Sequence, residues 1–386
     1  MKLRTCSPED AGISSFQVRK IIERAQNWVA DGIHPSLVIL AARRGVIFLH
    51  EAIGRLGPEE DSPPIQLNTI FPVASLTKLL TAAVAMTLVE QGLLGLNRSV
   101  VEYIPEFQGE GKHHILVRHL MTHTTGMRDE DVLELALSDH VDKGKFTLTY
   151  LIRDDIDGYI KLVAQTQPDR SPDTVMTYAN LNYQLLAAVI TRITGMNLDE
   201  LTRKLILSPL EMDDTHHILP AGLLDRVVRR SKTAPFYEHL KVLMNTPAGS
   251  SGVYSSAQDF AIFGQMLLNQ GVYGDTRLLS PASVRAMTHN QTPGIGASLN
   301  DEQFPQAHWG LGWSVNAPFK GPLYGEPMLS RSAFGHGGAG GVFIWVDPVF
   351  EIVAVYFSVL RDEKYLATKG SADLFINMVM ASIEEI

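Results

Sequence analysis

Val18, Ile21, Ile22, Ala25, Trp28 and Val29 recur at the spacing of one helix face, and Gly32 closes the pattern. Residues 15–31 therefore predict an amphipathic helix. Two short apolar runs follow, 37–42 and 46–50, on either side of Arg43-Arg44-Gly45, which predicts a β-hairpin. Residues 55–70 are polar and carry Pro58, Pro63 and Pro64, the composition of a connector. From about 75 to 210 the period is mainly helical. The stretch 79–91 is apolar and stops at Gly92, 118–123 and 133–138 are shorter, and 183–194 stops at Gly195. A further helix is predicted over 259–269, before Gly271. The C-terminal part changes character. Residues 341–346 (GVFIWV) and 352–359 (IVAVYFSV) are dense in β-branched and aromatic side chains, with Asp347-Pro348 as a turn between them, and a last helix is expected over about 370–385.

Strands thus lie near both ends of the chain and helices in the middle. The economical arrangement is an α+β (α/β sandwich) fold in which the two ends meet in one antiparallel sheet flanked by terminal helices. Residues 1–70 and 245–386 would form that discontinuous sheet domain, and 71–244 an inserted, mainly helical domain. With 386 residues, 45% hydrophobic and 19% charged, the chain can bury a large core and is excluded from the disordered class. The net charge of −9 argues against nucleic acid as a partner. No basic run exceeds a pair such as Arg43-Arg44 or Arg229-Arg230, each expected as a turn or solvated helix end. Cys6 is the single cysteine, so no intramolecular disulfide or Cys-based metal site can form. The first 12 residues lack a signal-type apolar region, and 79–89 is too short to span a bilayer. The expectation is a soluble, cytoplasmic protein with no membrane partner.

The sharpest chemical signal is Ser75-Leu76-Thr77-Lys78, opening the long apolar helix. Positions i and i+3 share a helix face, so hydroxyl and ammonium can be neighbours. Serine is a weak nucleophile until a base takes its proton, and lysine can serve as that base only if its surroundings depress its pKa. Alone, the pattern is weak and more often marks a serine N-cap with a solvated lysine. Tyr178-Ala179-Asn180 just precedes the 183–194 helix. A loop tyrosine can be a general base near positive charge, and Asn180 can accept from an ammonium while donating to a carbonyl; the bland reading is a turn with Asn180 as N-cap. Residues 335–341 (GHGGAGG) spell a dinucleotide fingerprint, but the residues that follow are strand-like rather than helical. A glycine-lined strand edge whose amides face a substrate fits better.

These elements, in this order, resemble the serine β-lactamase-like superfamily, on the branch holding class C β-lactamases, family VIII carboxylesterases, D-aminopeptidases and DD-peptidases. Residues 71–78 (FPVASLTK), 120–127 (LMTHTTGM), 208–215 (SPLEMDDT), 252–260 (GVYSSAQDF) and 309–313 (WGLGW) extend the resemblance over nearly the whole chain. It implies that Ser75 is acylated, that Lys78 keeps it activated, and that Tyr178, sharing protons with Lys78, is the base in acylation and protonates the leaving group. Asn180 would orient Lys78 and the substrate. His336 takes the first place of the family's K-T-G element, completed by Gly337 and Gly338, and the amides of Ser75 and Ala339 would form the oxyanion hole. No cofactor or metal is implied, and the partner is a small-molecule ester or amide.

The departures bear on substrate. His336 replaces the K-T-G lysine, with a charge expected to depend on pH, and Gly337 removes the threonine hydroxyl. Both weaken the case for efficient β-lactam hydrolysis. Asp173, Asn182 and Glu211 stand where the family usually has glycine, which reads as local loop variation. His119 and His123, four apart, lack a third metal ligand; a structural role is expected for His123, and His113-His114 and His216-His217 read as surface pairs. Ser250 matches a relaxed nucleophile-elbow spelling without the strand that motif needs. Trp309, Trp313 and Trp345 read as core or cleft wall. The function expected is a carboxylesterase acting on short-chain esters through an acyl-enzyme on Ser75. Alternatives are a β-lactamase, a D-aminopeptidase or amidase, an acyltransferase or, from another class, a non-catalytic binding homologue. Cleft loops at 128–172 and 295–335 would set the substrate, and the oligomeric state is left open.

Overall fold

The computed structural model describes residues 1–138, 156–231, 247–299, 302–317, 326–359 and 371–385. The predicted 15–31 helix is α1 (Ser15–Ala30), burying Val18, Ile21, Ala25 and Trp28. The hairpin is β2 (Ser36–Arg43) and β3 (Val46–Gly54), preceded by a two-residue β1 (Arg4–Thr5). The C-terminal strands are β4 (Ser314–Val315), β5 (Phe334–Gly338), β6 (Val342–Asp347) and β7 (Ile352–Val359). Together they form one seven-stranded sheet in the order β1-β3-β2-β7-β6-β5-β4. Every pairing is antiparallel except β1 with β3. The two ends of the chain meet at β2 and β7, which pair over their full length from Ile352↔Arg43 to Val359↔Ser36.

Both faces of this sheet are covered, which explains why its central strands read as unbroken apolar runs rather than alternating ones. Leu37, Ile39, Ala41, Trp345, Ala354 and Tyr356 face α1 and the last helix, α5 (Ala372–Ala381), which supplies Phe375, Ile376 and Val379. The alternate set, Val38, Leu40, Ile344, Val353, Val355 and Phe357, faces the other way. There it joins a core containing α2 (Thr77–Glu90), α3 (Asn180–Thr194) and α4 (Ala257–Leu268). Helix α2 buries every residue from Thr77 to Leu88, the behaviour of a helix apolar all round.

The basic pairs depart from the expectation of solvated ends. Each pair sends one cation inward and one outward. Arg43 is buried, donating to the carbonyls of Ala11, Gly12 and Phe350, while Arg44 meets Glu351 at 2.8 Å on the surface. Arg230 is buried, while Arg229 meets Glu59 at 2.6 Å. His216 and His217 are also buried rather than on the surface, under the segment that leads to Tyr254. Asp173 and Glu211 are more than loop variation, for both hold φ near +60°, the left-handed region where glycine carries no Cβ penalty.

Candidate active site

Three separate pieces of chain meet at one edge of the sheet. Phe71-Pro72 pairs with Tyr254-Ser255, and Val73 N–H bonds the Val253 carbonyl. Ala74 then turns through a left-handed φ of 46° and Ser75 sits, half-buried, on a single 3-10 turn that feeds α2. Ser75 thus stands at the N-terminal end of a buried helix, where the dipole favours developing negative charge. One turn on, Lys78 is fully buried, and its Nζ donates to Ser75 Oγ (3.1 Å), Asn180 Oδ1 (2.9 Å) and the Ser250 carbonyl (2.9 Å). Burial lowers its pKa to about 7, with Asp129 pulling weakly the other way. Ser250, the loose nucleophile-elbow match, contributes only a backbone acceptor; its hydroxyl is engaged by Gln184 at 2.8 Å.

Tyr178 lies just before α3, its ring 4.9 Å below the Lys78 ammonium. Burial raises the phenol pKa well above its ordinary value, and hydrogen bonding with Ser75 offsets only part of that. Asn180 does not cap α3; Ala179 occupies the N-cap position without a side-chain bond. The cap is supplied from outside by Asp129, whose carboxylate accepts from Asn180 N–H (2.7 Å), Leu181 N–H (2.8 Å) and Asn180 Nδ2 (2.9 Å). That last bond fixes the amide orientation, so that Oδ1 faces Lys78. Burial raises the Asp129 pKa, and these donors hold it partly back.

His123, expected to have a structural role, also borders the site. It stands in a left-handed conformation, and its ring packs on Tyr178 at 4.4 Å between centroids. Its Nδ1 accepts from Ala179 N–H (3.2 Å) and faces Asn182 Nδ2 (3.3 Å). That assignment leaves the proton on Nε2. Trp309 stands edge-on to His123, Tyr178 and His336, so it is a wall of the cleft. His119, by contrast, turns to Asp173 at 3.1 Å. Asp129 carried no motif signal, and His123, within the 120–127 segment, was expected only to have a structural role. Each acts through contacts with residues about 50 positions away.

On the facing side runs β5. Strand β4 pairs only with Phe334 and Gly335, so the edge at His336, Gly337 and Gly338 is open within the sheet. A Cβ at Gly338 would overlap the Val73 carbonyl and lie 3.3 Å from the Ser75 nitrogen. Only a glycine backbone comes this close to the serine turn. Ala339 follows in an exposed turn. His336 is buried, and its Nδ1 lies 2.7 Å from the Gly337 carbonyl, so Nδ1 carries the proton. Burial, reinforced by Lys78, lowers its pKa to about 3. The pH-dependent charge expected from the sequence is therefore replaced by a neutral imidazole across ordinary pH. A separate cavity of about 780 Å³, lined by Glu110, Arg118, His119, Asp169 and Arg170, includes none of Ser75, Lys78, Tyr178, Asn180 and His336.

A serine on a turn that follows a left-handed residue, a buried lysine whose pKa burial lowers to about 7 and a tyrosine against it thus stand together at one edge of the sheet. The chain belongs to the beta-lactamase family, whose model matches residues 21–373, and it is a serine hydrolase of that fold. A Salmonella typhimurium protein provisionally named a D-alanyl-D-alanine carboxypeptidase is 25% identical over 92% of this chain and 85% of its own. Among solved structures, a penicillin-binding protein homologue from Caulobacter crescentus aligns over 95% of this chain and 96% of its own, with TM-score 0.74 and 21% identity. A family VIII carboxylesterase aligns over 94% and 98%, with TM-score 0.69 and 21% identity. Among the described residues, no helix is long and apolar enough to cross a membrane.

Proposed function

We propose that the protein is a carboxylesterase that hydrolyses short-chain esters through an acyl-enzyme on Ser75. The hydrogen bonding of Lys78 carries this reading. Two of its three partners, the Asn180 amide oxygen and the Ser250 carbonyl, can only accept. In the neutral amine both N–H groups serve those acceptors, and the lone pair is left for the Ser75 hydroxyl. A pKa of about 7 keeps that neutral form populated at working pH. The raised pKa of Tyr178 favours the phenol over a standing phenolate, so we assign the base to Lys78 rather than, as the resemblance implied, to Tyr178, which instead relays a proton to the leaving oxygen. The amides of Ser75 and Ala339 would receive the oxyanion; losing one such donor typically costs about 3 kcal/mol of barrier lowering.

The neutral His336 favours esters over β-lactams, because it offers no cation to a β-lactam carboxylate and Gly337 offers no hydroxyl. The name of the Salmonella relative keeps a D-alanyl peptidase activity as the second reading. A binding-only homologue is disfavoured by the retention of Ser75, Lys78 and Tyr178 together. The test compares 4-nitrophenyl butyrate, nitrocefin and D-alanyl 4-nitroanilide on one preparation. The ester is expected to give the highest kcat/KM, by a factor of about 100 or more over nitrocefin. A higher kcat/KM for nitrocefin or the anilide would overturn the esterase assignment, and an unimpaired Ser75→Ala variant would overturn the mechanism.

A further inference from the structure

Four cationic side chains are buried among the described residues: Arg43, Lys78, Lys112 and Arg230. Three of them are satisfied. Arg43 has its three carbonyls, Lys78 its serine, amide and carbonyl, and Lys112 the carbonyls of Gln108, Val163 and Ala164. Arg230 is the exception. It is 8% exposed, and Nε, Nη1 and Nη2 are all enclosed without a hydrogen-bond partner among the described residues. Among the described residues no carboxylate acts on its charge, and burial brings its pKa only to about 10, so it remains a cation at neutral pH. A buried, unpaired charge is among the most unfavourable features a fold can carry.

The position of that charge is specific. The segment leading to Arg230 bonds to Ile70, through Val228 N–H to the Ile70 carbonyl, just upstream of Ser75. Tyr254, which pairs with Pro72 and follows the Ser250 segment, lies close enough to act on the Arg230 charge. The guanidinium lies directly on Gly340, where any Cβ would overlap Nη1 and Nη2, and Gly340 has a left-handed φ of 93°. Gly340 is the residue after Ala339. The unpaired cation is therefore packed against the turn that carries Ala339, beside the segment that leads to Ser75 and the strand residue Tyr254 that pairs with it.

We propose that Arg230 is the recognition residue for a carboxylate on the substrate, so that the preferred substrates are short-chain esters bearing a second, ionised carboxyl group. A planar guanidinium suits that group, because two of its N–H donors match the two carboxylate oxygens. Bound substrate would supply the acceptors the fold withholds. This deepens the esterase reading and rests on it for the reaction, but not for the binding.

The experiment measures kcat/KM for mono-4-nitrophenyl glutarate and for 4-nitrophenyl pentanoate, which lacks the second carboxylate, on wild type, Arg230→Gln and Arg230→Lys. The ratio of glutarate to pentanoate ester is expected to fall about tenfold to a hundredfold in Arg230→Gln, mainly through KM, with partial recovery in Arg230→Lys. An unchanged ratio would overturn the proposal. A second arm follows thermal unfolding with free glutarate, in wild type and in Ser75→Ala. Glutarate is expected to raise Tm in both and not in Arg230→Gln, and equal stabilisation of Arg230→Gln would overturn the site. Glutarate stabilisation that needs Arg230, combined with an unchanged ester ratio, would reassign the residue to a free carboxylate and reject the substrate role. The Ser75→Ala arm reads binding without hydrolysis, so failure of the esterase reading is seen separately.

Discussion

In the proposed mechanism Lys78 is the base, because the fold gives it acceptors but, among the described residues, no counter-ion in hydrogen-bond contact. Its pKa near 7 makes two predictions with a definite sign. Below that value the amine is protonated and has no lone pair for Ser75, so kcat/KM should fall about tenfold per pH unit on the acid side and level off above about pH 8. An acid limb near the ordinary lysine value would reject Lys78 as the base. Between about 7 and 10.5 the unfolded chain holds the proton that the folded chain has lost, so this residue's contribution to stability rises with pH across that window. Lys78→Met should accordingly abolish hydrolysis and leave Tm at neutral pH unchanged or higher. Ser75, Lys78, Tyr178 and Asn180 were legible as spellings in the sequence. Asp129, the Ser250 carbonyl and the contact of His123 with Tyr178 were not, because they depend on a helix cap, a backbone oxygen and a ring stack between distant segments. The inward turn of Arg230 was equally invisible, since a basic pair looks the same whether one member is buried or both are solvated.

At the scale of elements, the site depends on β5 running in backbone contact with the turn that carries Ser75. Gly338 permits this, and a methyl group there would meet the Val73 carbonyl and Val342. Gly338→Ala should push the strand off the serine turn and lower kcat/KM about 100-fold, with unfolding still cooperative. An active Gly338→Ala enzyme would show that the strand does not set the oxyanion geometry. The glycine-lined edge was legible because the strand-like residues after it excluded a phosphate loop. Helix α3 illustrates the limit, since its first turn begins at Asn180 rather than at the predicted 183. The apolar period starts late, and the true start is fixed by a carboxylate from another helix.

At the scale of the molecule, the two chain ends close one sheet, and the aromatic layer beneath it locks α1 and α5 in place. Phe375 is fully buried, 5.5 Å from the Tyr356 ring and 6.4 Å from Trp345. Phe375→Ala should cost about 3–5 kcal/mol in denaturant unfolding, with esterase activity retained below the transition. A loss under 1 kcal/mol would mean that α5 is not part of the cooperative core. That the ends meet was legible from where the β-branched runs fall. The boundary placed near residues 244 and 245, the start of the last helix at 370, and residues 139–155, 300–301 and 318–325 of the two cleft loops lie outside the described residues. The chemistry at the middle of this arrangement can be tested in one step. Rapid acid quench during turnover of 4-nitrophenyl butyrate, followed by peptide mass analysis, should find a butyryl group on Ser75. An acyl group on a different residue, or steady turnover with Ser75 unmodified at every quench time, would contradict the account.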